Sequence, residues 1–321
     1  MLFFNAAIVR FYAMVLLVVV AAWGSVSCAG AESATAVAKR SVLVDVQWLA
    51  KHINDPRVRL IELGPTREEF AAGHLPKAQF LDWIDEITDP EKPERYTKVG
   101  KQRMGELLSA LGVSNGSTVV FSDTADSRLS VRMLWMLRYY GHQDVRVLDG
   151  GRNAWLRSGR RLTREAVKPV PTRYVVRAEL KQLCTERSFV EEKIGDDWAV
   201  LIDGRPNDQF TGKAPGKVYH TGTEHARRGH IPGAVNVPWQ ANLKPDGTFK
   251  SREALMQLYV DAGVNTRKLA ITYCNEGLHA AMPWFVLTEL LGHPDARLYD
   301  DSMAEWANTD ETPVVVTRQQ L

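Results

Sequence analysis

A cysteine set between a buried strand and a helix can serve as a nucleophile, and Cys274 has that setting. It follows the apolar run Leu269-Ala270-Ile271-Thr272-Tyr273, and the chain then reads C-N-E-G-L-H-A from Cys274 to Ala280. The apolar periodicity predicts a helix from about Ala281 to Leu291, with Pro283 in its first turn, where a missing N–H costs nothing. A short loop between strand end and helix start lets successive backbone N–H groups converge on one point. With the helix dipole, such a nest favours an anion. A sulfur placed there is expected to have a lowered thiol pKa and to hold a negative terminal persulfide sulfur. Gly277 lets the loop curl without a Cβ in the way. On position alone, a buried core cysteine at a strand end is an equal reading.

The chain has two other cysteines. Cys184 falls in Glu179 to Ile194, a stretch that predicts a helix, and there it reads as a small buried hydrophobe. Cys28 belongs to the N-terminal segment. Met1 to Val9 is apolar, Arg10 is the first charge, Phe11 to Trp23 is an apolar run, and the small residues Gly24, Ser25, Ser27, Ala29, Gly30 and Ala31 follow. That order predicts a secretory signal peptide over residues 1–31 and export, to the periplasm. An uncleaved anchor starting near Leu2, or lipid attachment at Cys28, are the alternatives, and membrane contact is expected only through such a terminus. With the signal removed beyond Cys28, two cysteines remain, which is no disulfide framework.

An internal repeat separates Cys274 from a packing residue. At a constant offset of 151, Gly112-Val113 matches Gly263-Val264, and Gly141-His142 matches Gly292-His293. Asp149 matches Asp300, and Trp155 matches Trp306. Further upstream the spacing shifts: Leu60-Ile61-Glu62 resembles Leu201-Ile202-Asp203, and Gly73-His74-Leu75-Pro76 resembles Gly229-His230-Ile231-Pro232. The distance from Phe70 to Gly73 is 3 residues and from Phe210 to Gly229 it is 19, so the second copy holds a loop insertion. At the 151 offset, Asp123 stands where the second copy has Cys274, and Asp126 where it has Gly277. One copy is equipped for anion and sulfur chemistry and the other is not.

These residues need elements to hold them. Arg57 to Leu63, Thr118 to Phe121, Val145 to Leu148, Ala199 to Ile202, Leu269 to Tyr273 and Ala296 to Tyr299 read as buried strands. Amphipathic stretches lie between them. Ser251 is an N-cap for a helix over Arg252 to Asp261, with Gly263 just beyond its end. Strands alternating with helices imply an α/β fold with a mainly parallel sheet in each of two domains, flanked by helices. The domains are expected over 37–165, the inactive copy, and 173–317, the catalytic one. Pro169 and Pro171 favour an extended linker near Ala166 to Thr172. A length of 321 residues suits two domains, and 45% hydrophobic with 24% charged residues is a globular composition. The net charge of +2, with cations scattered among acids, argues against a nucleic-acid partner. His74, His142, His230 and His293 recur in both copies, the inactive one included, which argues for packing or turn roles. No His, Cys or acidic group has metal-ligand spacing, and neither metal nor cofactor is expected.

The paired halves, the G-H-I-P-G-A segment at Gly229 to Ala234 and the strand, C-x-x-G-x-x-A, helix unit resemble the tandem-domain rhodaneses, which include thiosulfate and 3-mercaptopyruvate sulfurtransferases. The resemblance runs from about Ser41 to Val316. It implies two rhodanese-like domains, of which the second carries the cysteine. It also implies a sulfurtransferase in which Cys274 takes sulfane sulfur from a small donor and passes it, as a persulfide, to a thiol or cyanide acceptor. The residues Asn275, Glu276, Gly277, Leu278, His279 and Ala280 would then surround the substrate or the persulfide, while Asp203 and Arg205 would brace the loop. This chain departs from the pattern at Asn275 and His279. Glu276 puts a negative charge in the loop, which should disfavour a dianion such as thiosulfate. Gln209 stands where donor-binding members carry an arginine, and Arg227 with Arg228 could clamp a carboxylate instead. His279 could hydrogen-bond the terminal sulfur or deliver a proton, or could face solvent. A phosphatase loop of C-x5-R form would need arginine where Ala280 stands. The alternative function is a non-catalytic sulfide or polysulfide carrier or sensor.

Overall fold

The computed structural model describes residues 41–317 apart from 65, 90, 92–96, 125 and 220. The signal peptide expected over residues 1–31, and Cys28 with it, lies outside the described residues. The first half holds β1 (Leu43–Val44), β2 (Val58–Glu62), β3 (Gln79–Phe80), β4 (Thr118–Ser122) and β5 (Val145–Leu148), in the sheet order β1-β5-β4-β2-β3. The second half holds β6 (Cys184–Thr185), β7 (Ala199–Asp203), β8 (Val235–Asn236), β9 (Leu269–Tyr273) and β10 (Ala296–Tyr299), in the matching order β6-β10-β9-β7-β8. All these pairings are parallel. The central strands read T-V-V-F-S and L-A-I-T-Y, the near-continuous apolar pattern that a sheet covered on both faces requires. Strand ends differ slightly from the sequence reading: Arg57 and Leu63 fall outside β2, while β4 reaches Ser122 and β7 reaches Asp203.

Two departures are larger. Glu179 to Ile194 is not one helix. A 3-10 turn at Lys181–Leu183 leads into β6, and a helix follows over Arg187–Glu192. Cys184 pairs with Leu298 at the edge of the sheet, so a tertiary strand pairing overrides the local helical pattern. Its side chain is also half-buried and not fully enclosed. The expected helix after the Cys274 loop is α-helical over Ala281–Phe285 and then widens to π-helical turns over Val286–Leu291. It ends at Gly292, whose φ of 78° suits only a residue without a Cβ clash. The helix Arg252–Asp261 forms as expected, with the Ser251 hydroxyl accepting from the Ala254 N–H at 3.3 Å. Residues 166–172 contain neither helix nor strand.

The two halves dock by a relation that the 151 offset makes visible. The helix Arg128–Tyr139 is buried on nearly every side and packs against the helix Ala281–Phe285. One apolar cluster draws Leu134 and Trp135 from the first half and Trp284 and Leu287 from the second. The Arg138 Nε meets Glu289 Oε1 at 2.8 Å. These residues are each other's repeat mates, which places the pair on the axis of a pseudo-two-fold. The Phe249 N–H donates to Asp149 Oδ1 at 2.9 Å, and its repeat mate, the Lys98 N–H, donates to Asp300 Oδ2 at 3.1 Å. Asp300 is buried and also meets Arg132 Nη2 at 2.6 Å and Lys98 Nζ at 3.6 Å. Burial works to raise the Asp300 pKa, but the two cations and the Lys98 N–H outweigh it and hold it low. Arg132→Ala should therefore cost about 3–5 kcal/mol, because it leaves a buried carboxylate short of a partner. The urea midpoint measures it, and a loss below about 1 kcal/mol would mean that Lys98 compensates alone.

Candidate active site

Cys274 emerges from the carboxyl end of β9, the central strand of its sheet, where open parallel sheets bind ligands. Its backbone is pinned by the turn after β10. The Cys274 N–H donates to Ser302 Oγ at 3.1 Å, the Met303 N–H to the Cys274 carbonyl at 3.0 Å, and the Ala304 N–H to the Asn275 carbonyl at 2.7 Å. Ser302 sits at φ 49°, unusual for a residue with a Cβ, and its hydroxyl also donates to the Tyr299 carbonyl at 2.7 Å. The first half repeats the scaffold. The Arg152 and Asn153 N–H groups donate to the carbonyls of Asp123 and Thr124 at 2.8 and 3.0 Å, and Gly151, at φ 53°, takes the place of Ser302.

With the backbones matched, the side chains decide. In the first half the Asp123 carboxylate fills the nest, accepting from the N–H groups of Ser127 at 2.9 Å and Ser130 at 3.1 Å, and burial pushes its pKa up to about 6. In the second half the N–H groups of Glu276, Ala280 and His279 serve the Cys274 sulfur instead. Gly277, at φ 83°, allows this curl: a Cβ there would come within 2.5 Å of Asp300 Oδ1 and 2.7 Å of its carbonyl oxygen. The lowered thiol pKa expected from the nest is not found. Cys274 is 1% exposed, burial pushes the thiol up to about 11, and the Glu276 charge adds to the rise against the pull of the N–H groups. Desolvation outweighs the dipoles for the free thiol.

The remaining loop residues divide by role. Asn275 is buried and bridges two neighbours: its Nδ2 donates to Gln209 Oε1 at 3.0 Å, and its Oδ1 lies 3.2 Å from His225 Nε2. Leu278 and Ala280 belong to the apolar core. Both carboxylate oxygens of Glu276 accept from the Tyr219 N–H, at 2.9 and 3.0 Å. Burial pushes its pKa up to about 7, so its charge near neutrality is smaller than the sequence implied. His279 does not face solvent. It is buried, stacked on Trp239 at 5.2 Å and edge-on to Tyr219 at 6.1 Å. Burial, and then the Arg128 charge, hold it down to about 3, so it is a neutral imidazole whose Nε2 has no hydrogen-bond partner among the described residues.

Asp203 and Arg205 form a fully buried fork, with Arg205 Nη2 2.6 Å from Asp203 Oδ2 and 2.7 Å from the Gly229 carbonyl. Arg205 also carries charge close enough to Cys274 to interact with it. The pair Arg227 and Arg228 does not act as one clamp. Arg227 donates to the carbonyls of Trp306, Ala307, Thr309 and Thr312, whereas Arg228 is exposed. The insertion between Phe210 and Gly229 loops out without disturbing its base. Phe210 stacks on His230 at 3.8 Å as Phe70 stacks on His74 at 4.1 Å. Its residue Tyr219 ends up over the active loop. Among the described residues no group of three or more His, Cys, Asp or Glu could hold a metal ion.

Sequence reasoning missed what the first half contributes. Arg132 Nη1 donates to the Gly277 carbonyl at 3.4 Å, and the Arg128 guanidinium lies over the rings of Tyr219 and Trp239, at 4.8 and 5.4 Å. The repeat pairs these arginines with His279 and Pro283, so no pattern marked them. Asp300 could have been found, since the repeat preserves it.

Comparison with known proteins agrees with this geometry. The rhodanese-like domain family matches residues 45–158 and 186–309. The sulfur carrier protein TtuD of Thermus thermophilus is 34% identical over 276 residues, covering 85% of this chain and 96% of the relative. A Mycolicibacterium smegmatis protein provisionally named a thiosulfate sulfurtransferase is 35% identical over 278 residues, covering 87% of this chain and 99% of the relative. Among solved structures, SseA of Escherichia coli, a 3-mercaptopyruvate sulfotransferase, matches with a TM-score of 0.71 and 27% identity, over 82% of this chain and 98% of that one.

The buried Glu276 carboxyl makes stability depend on pH. Its folded pKa of about 7 lies above the ordinary 4.5, so its contribution is fully present below about 4.5 and is lost as pH rises through about 7. Glu276→Gln keeps an acceptor for the Tyr219 N–H without the charge. Its melting temperature should rise relative to the unsubstituted protein between pH 5 and pH 8. Parallel pH profiles would show that Glu276 titrates normally.

Proposed function

The chain belongs to the rhodanese family, with two rhodanese-like domains in tandem, and from that premise we propose that it is a sulfurtransferase working through a Cys274 persulfide. The observation that carries the reading is the pair of matched loops: one nest is filled by the Asp123 carboxylate, and the other is left to the Cys274 sulfur. In the first half-reaction the Cys274 thiolate attacks the transferable sulfur of a small donor, the outer sulfur of thiosulfate or the carbon-bound sulfur of 3-mercaptopyruvate. The donor remainder leaves with the electron pair of the broken bond, and Cys274 becomes a persulfide. In the second, a thiol or cyanide takes the terminal sulfur and Cys274 leaves as thiolate. Preorganised N–H dipoles in a site closed to water act strongly on whichever sulfur carries charge, which offsets part of the cost of burying it. The neutral His279, held between Trp239 and Tyr219, can accept or donate one hydrogen bond at the terminal sulfur.

Among the described residues no second cysteine reaches the sulfur, which supports an outside acceptor. Cys184 and Thr272 flank Leu298 on neighbouring strands, and Cys274 lies two residues beyond Thr272. Two strand spacings of about 4.8 Å each already separate Cys184 from Thr272. That exceeds the roughly 7 Å Cα limit for a disulfide, so Cys184 cannot resolve the persulfide. The apolar segment in residues 1–31 supports chemistry in the periplasm. A second reading, a carrier that hands sulfur to a partner protein without turnover of small donors, is favoured by the likeness to TtuD and by the burial of Cys274. Repeated turnover with a small donor and cyanide separates the two.

Cys274→Ser should abolish the mass gain of about 32 Da that one bound sulfur atom gives, while Cys184→Ser retains it. Sulfur uptake on a thiol of the Cys274→Ser protein would overturn the assignment. Glu276→Gln should raise the use of thiosulfate relative to 3-mercaptopyruvate, and an unchanged ratio would remove charge at this position as the cause of donor choice.

A further inference from the structure

The cations around the Cys274 loop are mostly committed. Arg205 is forked onto Asp203, Arg132 faces Asp300, and Arg227 is spread over carbonyl oxygens. Arg128, from the first half, is placed differently. Its Nε lies 3.3 Å from Asp126 Oδ2, with the side chains 22% and 33% exposed, a pairing weakened by solvent. One terminal nitrogen donates to the Tyr219 hydroxyl at 2.9 Å, and a guanidinium has five N–H donors in all. Arg128 borders a cleft of about 280 Å3, walled by Trp83 and Tyr219, whose rings are 5.7 Å apart, and floored by Asp123 and Thr124. Tyr219 is shared with the active loop: its N–H is on Glu276 and its ring edge is on His279.

We propose that this cleft, at the mouth of the inactive half, seats a small thiol acceptor bearing one carboxylate, with Arg128 as the residue that recognises it. The proposal rests on Cys274 carrying the transferable sulfur. A carboxylate matches the guanidinium fork, and the aromatic walls take the hydrocarbon body. The nearby Asp126 and Asp123 favour a monoanion over a dianion. With the Tyr219 ring displaced, the acceptor thiolate attacks the terminal sulfur of Cys274–S–SH. The S–S bond to Cys274 breaks, Cys274 leaves as thiolate, and the acceptor departs as R–S–SH with the proton still on the terminal sulfur. No oxidant or reductant is consumed.

The test uses protein loaded to completion with polysulfide, from which the rate of persulfide loss to 3-mercaptopropionate and to neutral 2-mercaptoethanol is followed by mass. The ratio of the two rates should fall about tenfold in Arg128→Ala and less in Arg128→Lys, which keeps the charge but loses the fork. Tyr219→Phe, which keeps the ring but not the hydroxyl, should hold the ratio within about threefold of the starting protein. An unchanged ratio in Arg128→Ala overturns the proposal. So does a Tyr219→Phe ratio that falls as far as that of Arg128→Ala, because Arg128 would then act by holding the Tyr219 ring. If Cys274 takes up no sulfur at all, the persulfide reading itself fails, an outcome distinct from a loaded protein that does not discriminate.

Discussion

Asp300 keeps a negative charge in a place closed to water, and it does so because the other half of the chain brings Arg132, the Lys98 amine and the Lys98 N–H to it. A buried carboxylate without such partners would be costly. The same carboxylate lies where any Cβ on Gly277 would go, and the next residues in the chain hold the backbone of Cys274 and Asn275. Docking of the halves and the shape of the Cys274 loop are thus one problem with one solution. A loop formed without the first half would have an uncompensated charge directly behind it.

The duplicated architecture explains how that dependence is shared. Equivalent backbone bonds pin both loops, and the bonds from Phe249 to Asp149 and from Lys98 to Asp300 cross the interface in both directions. Around the pinned backbone of the two loops, the divergence lies in the side chains: Asp123 stands against Cys274 and Asp126 against Gly277. Asp123 satisfies its own nest with a tethered carboxylate, and its loop lines the cleft beside Arg128. The arginines at the start of its long helix reach the other half, so cations arrive from outside a Cys274 loop that has no arginine or lysine in its own sequence.

Closure of the site has opposing effects. Burial raises the Cys274 thiol and the Glu276 carboxyl and lowers His279, so each group favours its neutral form. The same dryness strengthens the N–H dipoles on any charge that does form. Tyr219 is held by its N–H on Glu276 and by its hydroxyl on Arg128, one contact to each half. It is therefore a point at which both halves meet beside the Cys274 loop.

The sequence by itself determined much of the framework. The apolar runs located β5, β9 and β10 to the residue, Ser251 and Gly263 bounded a helix, and the repeat set Cys274 opposite Asp123, because hydrophobic periodicity and capping are local properties. It misread Glu179 to Ile194, where pairing with β10 draws Cys184 into a strand, a contact made by residues more than a hundred positions away. It also assigned Glu276 a full charge, the thiol a lowered pKa and Arg227 a place in a clamp. Each of those depends on desolvation and on neighbours that only the folded chain brings close. The arginines of the first half left no trace in the pattern, since their partners across the interface are set by the docking of the two halves. Tertiary structure decided the electrostatics of this site because charge answers to distance and to water, and neither is written along the chain.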